Sequence, residues 1–213
     1  MSSCELMSDV WRDLTRRQAC TGPAAQTVLN ELVQAYSEPH RHYHTAEHVA
    51  SLLQLLEEHG RVVLDRNAIA LAILCHAAVY DPARHDNEQA SADLAGERLA
   101  PLGFPDQLIG KVKRYILATQ HGQSAATIKD ADLALLLDLD LSILAAAPEA
   151  YRAYAQAIRR EYAHVPDMLY RLGRRRILQG FLARERIYRT DRLHRLWEAQ
   201  ARANIAGEMA GLV

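Results

Sequence analysis

Residues 66–80, RNAIALAILCHAAVY, limit the fold more than any other stretch of this chain. They are apolar almost all round. A helix with no polar face needs cover on every side, so the segment reads as a central buried helix. Residues 25–36 place Val28, Leu29, Leu32, Val33 and Tyr36 on one helical face, and residues 46–58 do the same with Val49, Leu52, Leu53, Leu55 and Leu56. Gly60 is a natural stop for the second. Further helices are expected over 86–99 and 106–120, divided by PLGFP and with Gly122 closing the latter. Others follow over 130–146, 148–164, 167–188 and 191–208, where Pro148 and Pro166 sit in tolerated first-turn positions. There is no Asn-Gly or Asp-Gly hairpin signal, and β-branched residues rarely alternate. The expectation is an all-α single domain over 1–213 with about eight to ten helices. Its core would lie at about 29–145, with an arginine-rich helical part at about 148–208.

Composition narrows the setting. A chain of 213 residues that is half apolar and 24% charged has the balance of a soluble globular protein. No run approaches the roughly 20 apolar residues of a membrane helix. The stretch MSSCELMSDVW lacks a basic region followed by an apolar one, so no secretory signal is expected. Cys4, Cys20 and Cys75 are odd in number and lack metal-like spacing, which fits a reducing cytoplasm. The net charge of −1 hides an asymmetry: residues 159–202 hold twelve arginines against five acids, a local +7. Such a segment suits an anionic partner, a phosphate-bearing substrate or a nucleic acid. Long arginine stems covering helix faces would account for most of them equally well.

Four histidines, His40, His42, His44 and His48, fall within nine residues. Thr45 is placed to N-cap the next helix, which puts His44 just ahead of it and His48 in its first turn. A polar surface junction is the simpler explanation of one such cluster, but four histidines in so short a stretch favour a function. A lone His76 on an apolar helix is usually a satisfied core residue. Here it leads into YDPARHDNEQASAD, whose Asp81, Asp86, Asn87 and Glu88 suggest that the helix end opens on a polar cavity. Asp86 or Asn87 would also serve as a plain N-cap. His121 closes KVKRYILATQHG, where the helix dipole alone accounts for it as readily as a site does. Asp138 and Asp140 lie in LALLLDLDLSIL, and carboxylates among leucines are costly unless paired or metal-bound. At helical spacing they cannot share a face, so one is expected to face a site and the other solvent or an arginine. Histidine nitrogen with carboxylate oxygen suits Mn, Fe, Zn, Ni or Mg.

These residues resemble the HD superfamily of metal-dependent phosphohydrolases, whose ligands are a first His, a His-Asp doublet and a distant Asp. Within it the chain looks like a bacterial group of predicted HD phosphohydrolases. The segments that carry the resemblance are EPHRHYHTAEHV (38–49), HAAVYDP (76–82), DNEQASA (86–92), ILATQH (116–121), DLDLSILA (138–145) and ARAN (201–204), in order from about residue 29 onward. The resemblance implies an HD-type helical bundle. It implies His48, His76 and Asp140 as metal ligands, with Asp138 as the fallback for the last. His44 would be the general acid, and Asp81 and Glu88 would orient water or hold a second metal. Arg41, Lys113 and His121 would contact substrate, and His121 is also placed to support a second metal.

Ala77 departs from the pattern, since the doublet's Asp belongs there and a methyl group cannot coordinate. Three explanations are open: natural loss of the ligand, an Asp→Ala change made to trap substrate, or Asp81 or Glu88 taking over as ligand; the retention of Asp81, Asn87, Glu88 and Asp140 favours the engineered change over natural loss. The implied activity is hydrolysis of a phosphomonoester or phosphoanhydride, of a nucleotide, impaired in this Ala77 form. Two rivals stand beside it. One is a non-catalytic sensor of a nucleotide or phosphate ligand. The other is an RNA-binding protein, against which Tyr162, Tyr170 and Tyr188 are too sparse for a stacking platform. No membrane partner is expected, and a homodimer is left open.

Overall fold

In a computed structural model, the structure describes residues 1–120 and 128–212. Among them are ten α-helices, one 3₁₀ turn and no strand, so the chain is all-α as expected. No described helix is long and apolar enough to cross a membrane. The chain divides into two compact units, Met1–Gln120 and His121–Val213.

The first unit contains α1 (Ser3–Arg17), α2 (Pro23–Ala35), α3 (Ala46–His59), α4 (Arg66–Cys75), α5 (Asn87–Leu99) and α6 (Asp106–Ala118). Helix α1 is absent from the sequence reading, although its signals are present. Ser2 and Glu5 form a reciprocal capping box, and Met7, Trp11 and Leu14 line a buried stripe. Helix α4 is the predicted centre: every residue from Ala68 to Ala78 is buried, with α3, α5 and α6 packed around the helix. Asp65 caps its start by accepting the Ala68 N–H at 3.0 Å. Gly60 does cap the end of α3, and a side chain is excluded there: a Cβ would stand 2.4 Å from the Leu56 carbonyl oxygen.

Helix α4 stops at Cys75 rather than continuing to residue 80. Its last polar groups are taken by side chains from elsewhere. The Tyr36 hydroxyl donates to Leu74 O (3.1 Å) and accepts the Ala77 N–H (3.3 Å). Arg41 takes the carbonyls of Ala77 and Ala78, and Ser91 Oγ pairs with both polar groups of Val79.

The second unit contains α7 (Ala131–Asp140), a 3₁₀ turn (Leu141–Ala145), α8 (Pro148–Glu161), α9 (Asp167–Leu182) and α10 (Asp191–Gly211). The apolar run 133–139 of α7 is buried, and the 3₁₀ turn packs on α7, α8 and α10. Asn204 on α10 fixes that turn by donating to Leu144 O and Ala146 O at 2.9 and 2.8 Å. Arg174 on α9 forms a bidentate pair with Glu208 on α10, at 2.7 and 3.0 Å, so part of the C-terminal arginine excess is internal structure. Helix α9 was expected to reach residue 188 and ends six residues sooner, where Arg202 takes the carbonyl of Leu182.

Candidate metal centre

His48 sits in the first turn of α3 and His76 immediately follows α4. Both are buried, and their Nε2 atoms lie 3.1 Å apart. His76 Nδ1 is 2.9 Å from the carbonyl oxygen of Ile73, which only accepts. The Nδ1 of His76 therefore carries a proton, and in the neutral ring the Nε2 lone pair faces His48. Nitrogens about 2.0–2.1 Å from one ion are about 2.9 Å apart in octahedral cis positions and about 3.4 Å apart in a tetrahedron. The observed separation falls between these values.

Asp140, the half-buried last residue of α7, supplies a carboxylate. With His48 and His76 it makes a donor group that could hold a metal ion, two imidazoles and one carboxylate. Asp138 is not the alternative ligand. It is fully buried and committed within its own unit: Oδ1 accepts the Arg189 N–H, while Oδ2 accepts the N–H and hydroxyl of Thr190, each at 2.7 Å. Burial pushes its pKa up, against the pull of those donors. The expected partner was solvent or an arginine side chain. The partners found are two backbone N–H groups and the Thr190 hydroxyl.

His44 stacks on Tyr80 with ring centroids 4.1 Å apart and meets the His48 ring edge-on at 5.9 Å. Tyr43 lies against both imidazoles. Four sequence-predicted residues, Arg41, His44, His48 and His76, thus come together in the first unit, but Arg41 has a different task from the one expected. Its side chain is wholly buried, which leaves no surface for a phosphate. The guanidinium donates to Glu38 (2.9 Å) and to the carbonyls of His44 (3.3 Å), Ala77 (2.6 Å) and Ala78 (3.1 Å). Arg41 therefore ties the histidine-bearing loop to the turn after His76.

Other predicted residues have local partners. Lys113 on α6 pairs with Asp93 on α5 at 2.8 Å, a link between helices rather than a free phosphate contact. Asp81 is exposed, and its Oδ1 accepts the Ala83 N–H. Asn87 clasps the Asp81 backbone from both sides, accepting its N–H at 3.0 Å and donating to its carbonyl at 2.8 Å. Asp86 holds the N-cap position of α5, but its carboxylate takes Arg84 instead of capping. Thr45 likewise sits at the N-cap of α3 and gives its hydroxyl to Glu47. Glu88 is half-buried in the first turn of α5 with no side-chain partner among the described residues. His121 lies outside the described residues. The sequence reading missed Tyr80 and Ser91 as organisers, and saw Tyr36 only as part of an apolar face.

No family model, curated protein or solved structure matches the chain.

Proposed function

We propose that the chain is a metal-dependent phosphohydrolase of the HD type, with His48, His76 and Asp140 as ligands of one divalent ion. Its substrate is a phosphomonoester or phosphoanhydride of a nucleotide. The observation that carries the reading is the convergence of two buried imidazole nitrogens, one with its tautomer fixed, in a chain whose Asp140 completes a metal-capable group. The ordered HD-like motifs supply the reaction class. When bound, the ion supplies an acidified water for attack on phosphorus near neutral pH. The Nδ1–H contact to Ile73 O holds the His76 ring so that Nε2 remains a ligand. His44 protonates the leaving oxygen from its stacked position on Tyr80.

Ala77 favours a second reading. It is buried in the turn after His76, and its methyl group replaces the carboxylate implied by the resemblance. A protein that binds a phosphate ligand without turnover would tolerate this. The test is turnover of a broad nucleotide panel by the Ala77→Asp form with Mn, Fe, Zn, Ni or Mg supplied. The leading reading predicts hydrolysis. Thermal stabilisation by a nucleotide with no turnover would favour the sensor.

A further inference from the structure

Helix α9 turns Arg174, Leu178 and Phe181 inward, and much of the face opposite them is apolar. Among the described residues eight large apolar residues are exposed, and four of them, Met168, Leu169, Leu172 and Ile177, sit on this one helix. They are 74%, 59%, 60% and 47% exposed. Single exposed apolar residues are ordinary, but a contiguous set marks an interaction surface. At helical spacing Leu169, Leu172, Arg176 and Gly180 line the middle of the face, with Met168 and Ile177 on its flanks. Arg176 is its central charge. Arg171 and Arg175 lie to the side, where Arg171 pairs with Asp167 and Arg175 donates to Leu212 O.

Gly173 and Gly180 lie on the same side of α9, and a Cβ at either would meet nothing within 4 Å. Glycine inside a helix is destabilising relative to alanine, and the chain's own packing does not call for it at these two positions. The missing side chains leave the helix backbone open to close approach by another helix. A lipid surface would gain nothing from such gaps.

We propose that this face of α9 is a dimer interface, covered by the same face of a second copy of the chain. Covering four such side chains removes on the order of 400 Å² of apolar surface per copy, about half of the roughly 800 Å² that each partner contributes to a standard interface. Gly173, Arg176, Gln179 and Gly180, all exposed, extend the surface toward that area. An antiparallel pair about a twofold axis at Leu172 closes on itself, so both patches are buried at once. It also keeps the two Arg176 positions about 12 Å apart by the helix rise, beyond the roughly 8 Å at which physiological salt screens charges. The pairing goes beyond the phosphohydrolase reading and does not depend on it.

Sedimentation equilibrium of the full chain across about 1–100 µM tests this. The parent is expected to pass from monomer to dimer as concentration rises. Leu169→Glu/Leu172→Glu should weaken the dimer by about tenfold or more, because it buries unpaired charge at the centre of the contact. Val62→Glu/Leu64→Glu, which alters a more exposed apolar pair ahead of α4, should stay within about twofold. If the α9 double variant does not fold, Leu172→Cys replaces it: a short bismaleimide should join its chains into a covalent dimer beyond the parent's own level, and Leu196→Cys on α10 should show no such gain. A parent that stays monomeric at the highest concentration, a dimer untouched by the α9 substitutions, or an equal loss in the Val62/Leu64 variant would overturn the pairing. A monomeric parent that instead co-sediments with anionic lipid vesicles through Leu169 and Leu172 would overturn it in favour of a membrane contact.

Discussion

The Nε2 atoms of His48 and His76 face each other at 3.1 Å, while the opposite nitrogen of His76 is held 2.9 Å from Ile73 O. With its Nδ1 proton given to Ile73 O, the His76 Nε2 lone pair is met either by an Nε2–H of His48 in an ordinary hydrogen bond or, once that proton leaves, by a cation that both nitrogens ligate. The contact is buried, which raises the cost of leaving either nitrogen unsatisfied.

Arg41 connects this pair to the rest of the first unit. Arg41→Ala leaves the carbonyls of Ala77 and Ala78 without their donor, and is expected to cost about 3 kcal/mol or more. Arg41→Lys should recover only part of this, since an ammonium lacks the planar fork. Chemical denaturation of the three proteins is the check. A loss below about 1 kcal/mol in Arg41→Ala would show that the turn stands without it.

Asp138 and Asp140 should separate cleanly. Asp138→Asn puts an amide NH₂ or a weaker acceptor against the donors of Arg189 and Thr190, and should destabilise the fold by about 2–3 kcal/mol while leaving the proposed ligands His48, His76 and Asp140 unchanged. Asp140→Asn should melt near the parent and lose metal. Melting curves and metal content for both variants decide this; the reverse pattern would exchange the two roles.

The two aspartates also show how far the sequence could be read. Their opposite faces and their cost among leucines follow from helical spacing. That Asp138 binds backbone N–H groups 51 and 52 positions away does not. The same holds for the early ends of α4 and α9. The apolar pattern continues past Cys75, and what stops the helix is Tyr36, Arg41 and Ser91, whose contacts are set by tertiary packing. Helix α1, by contrast, was legible in the Ser2–Glu5 box and the Met7, Trp11, Leu14 spacing. The histidines stood out because four fall within nine residues and because His76 leads into an acidic stretch. The resemblance implied Arg41 as a substrate contact, and sequence alone does not reveal that its guanidinium is spent on carbonyls.

Glu198 gives a pH signature. Burial pushes its pKa up, but the N–H groups of Ile187 and Tyr188, with Arg202 and His194, outweigh burial and hold it below the ordinary glutamate value. A depressed carboxylate contributes stability above its unfolded pKa and loses it as pH falls through the folded one. The parent should therefore melt above Glu198→Gln at pH 7, with the gap closing below about pH 4. A gap that persists undiminished in acid would mean the ionised carboxylate is not what holds Ile187 and Tyr188.

Metal analysis tests the central claim most directly. The parent chain, His48→Ala, Asp140→Asn and Ala77→Asp are each incubated with Mn, Fe, Zn or Ni, desalted and measured for bound metal per chain. The account predicts retained metal in the parent, more and tighter in Ala77→Asp, and none in His48→Ala or Asp140→Asn. Equal, substoichiometric metal in all four would contradict it.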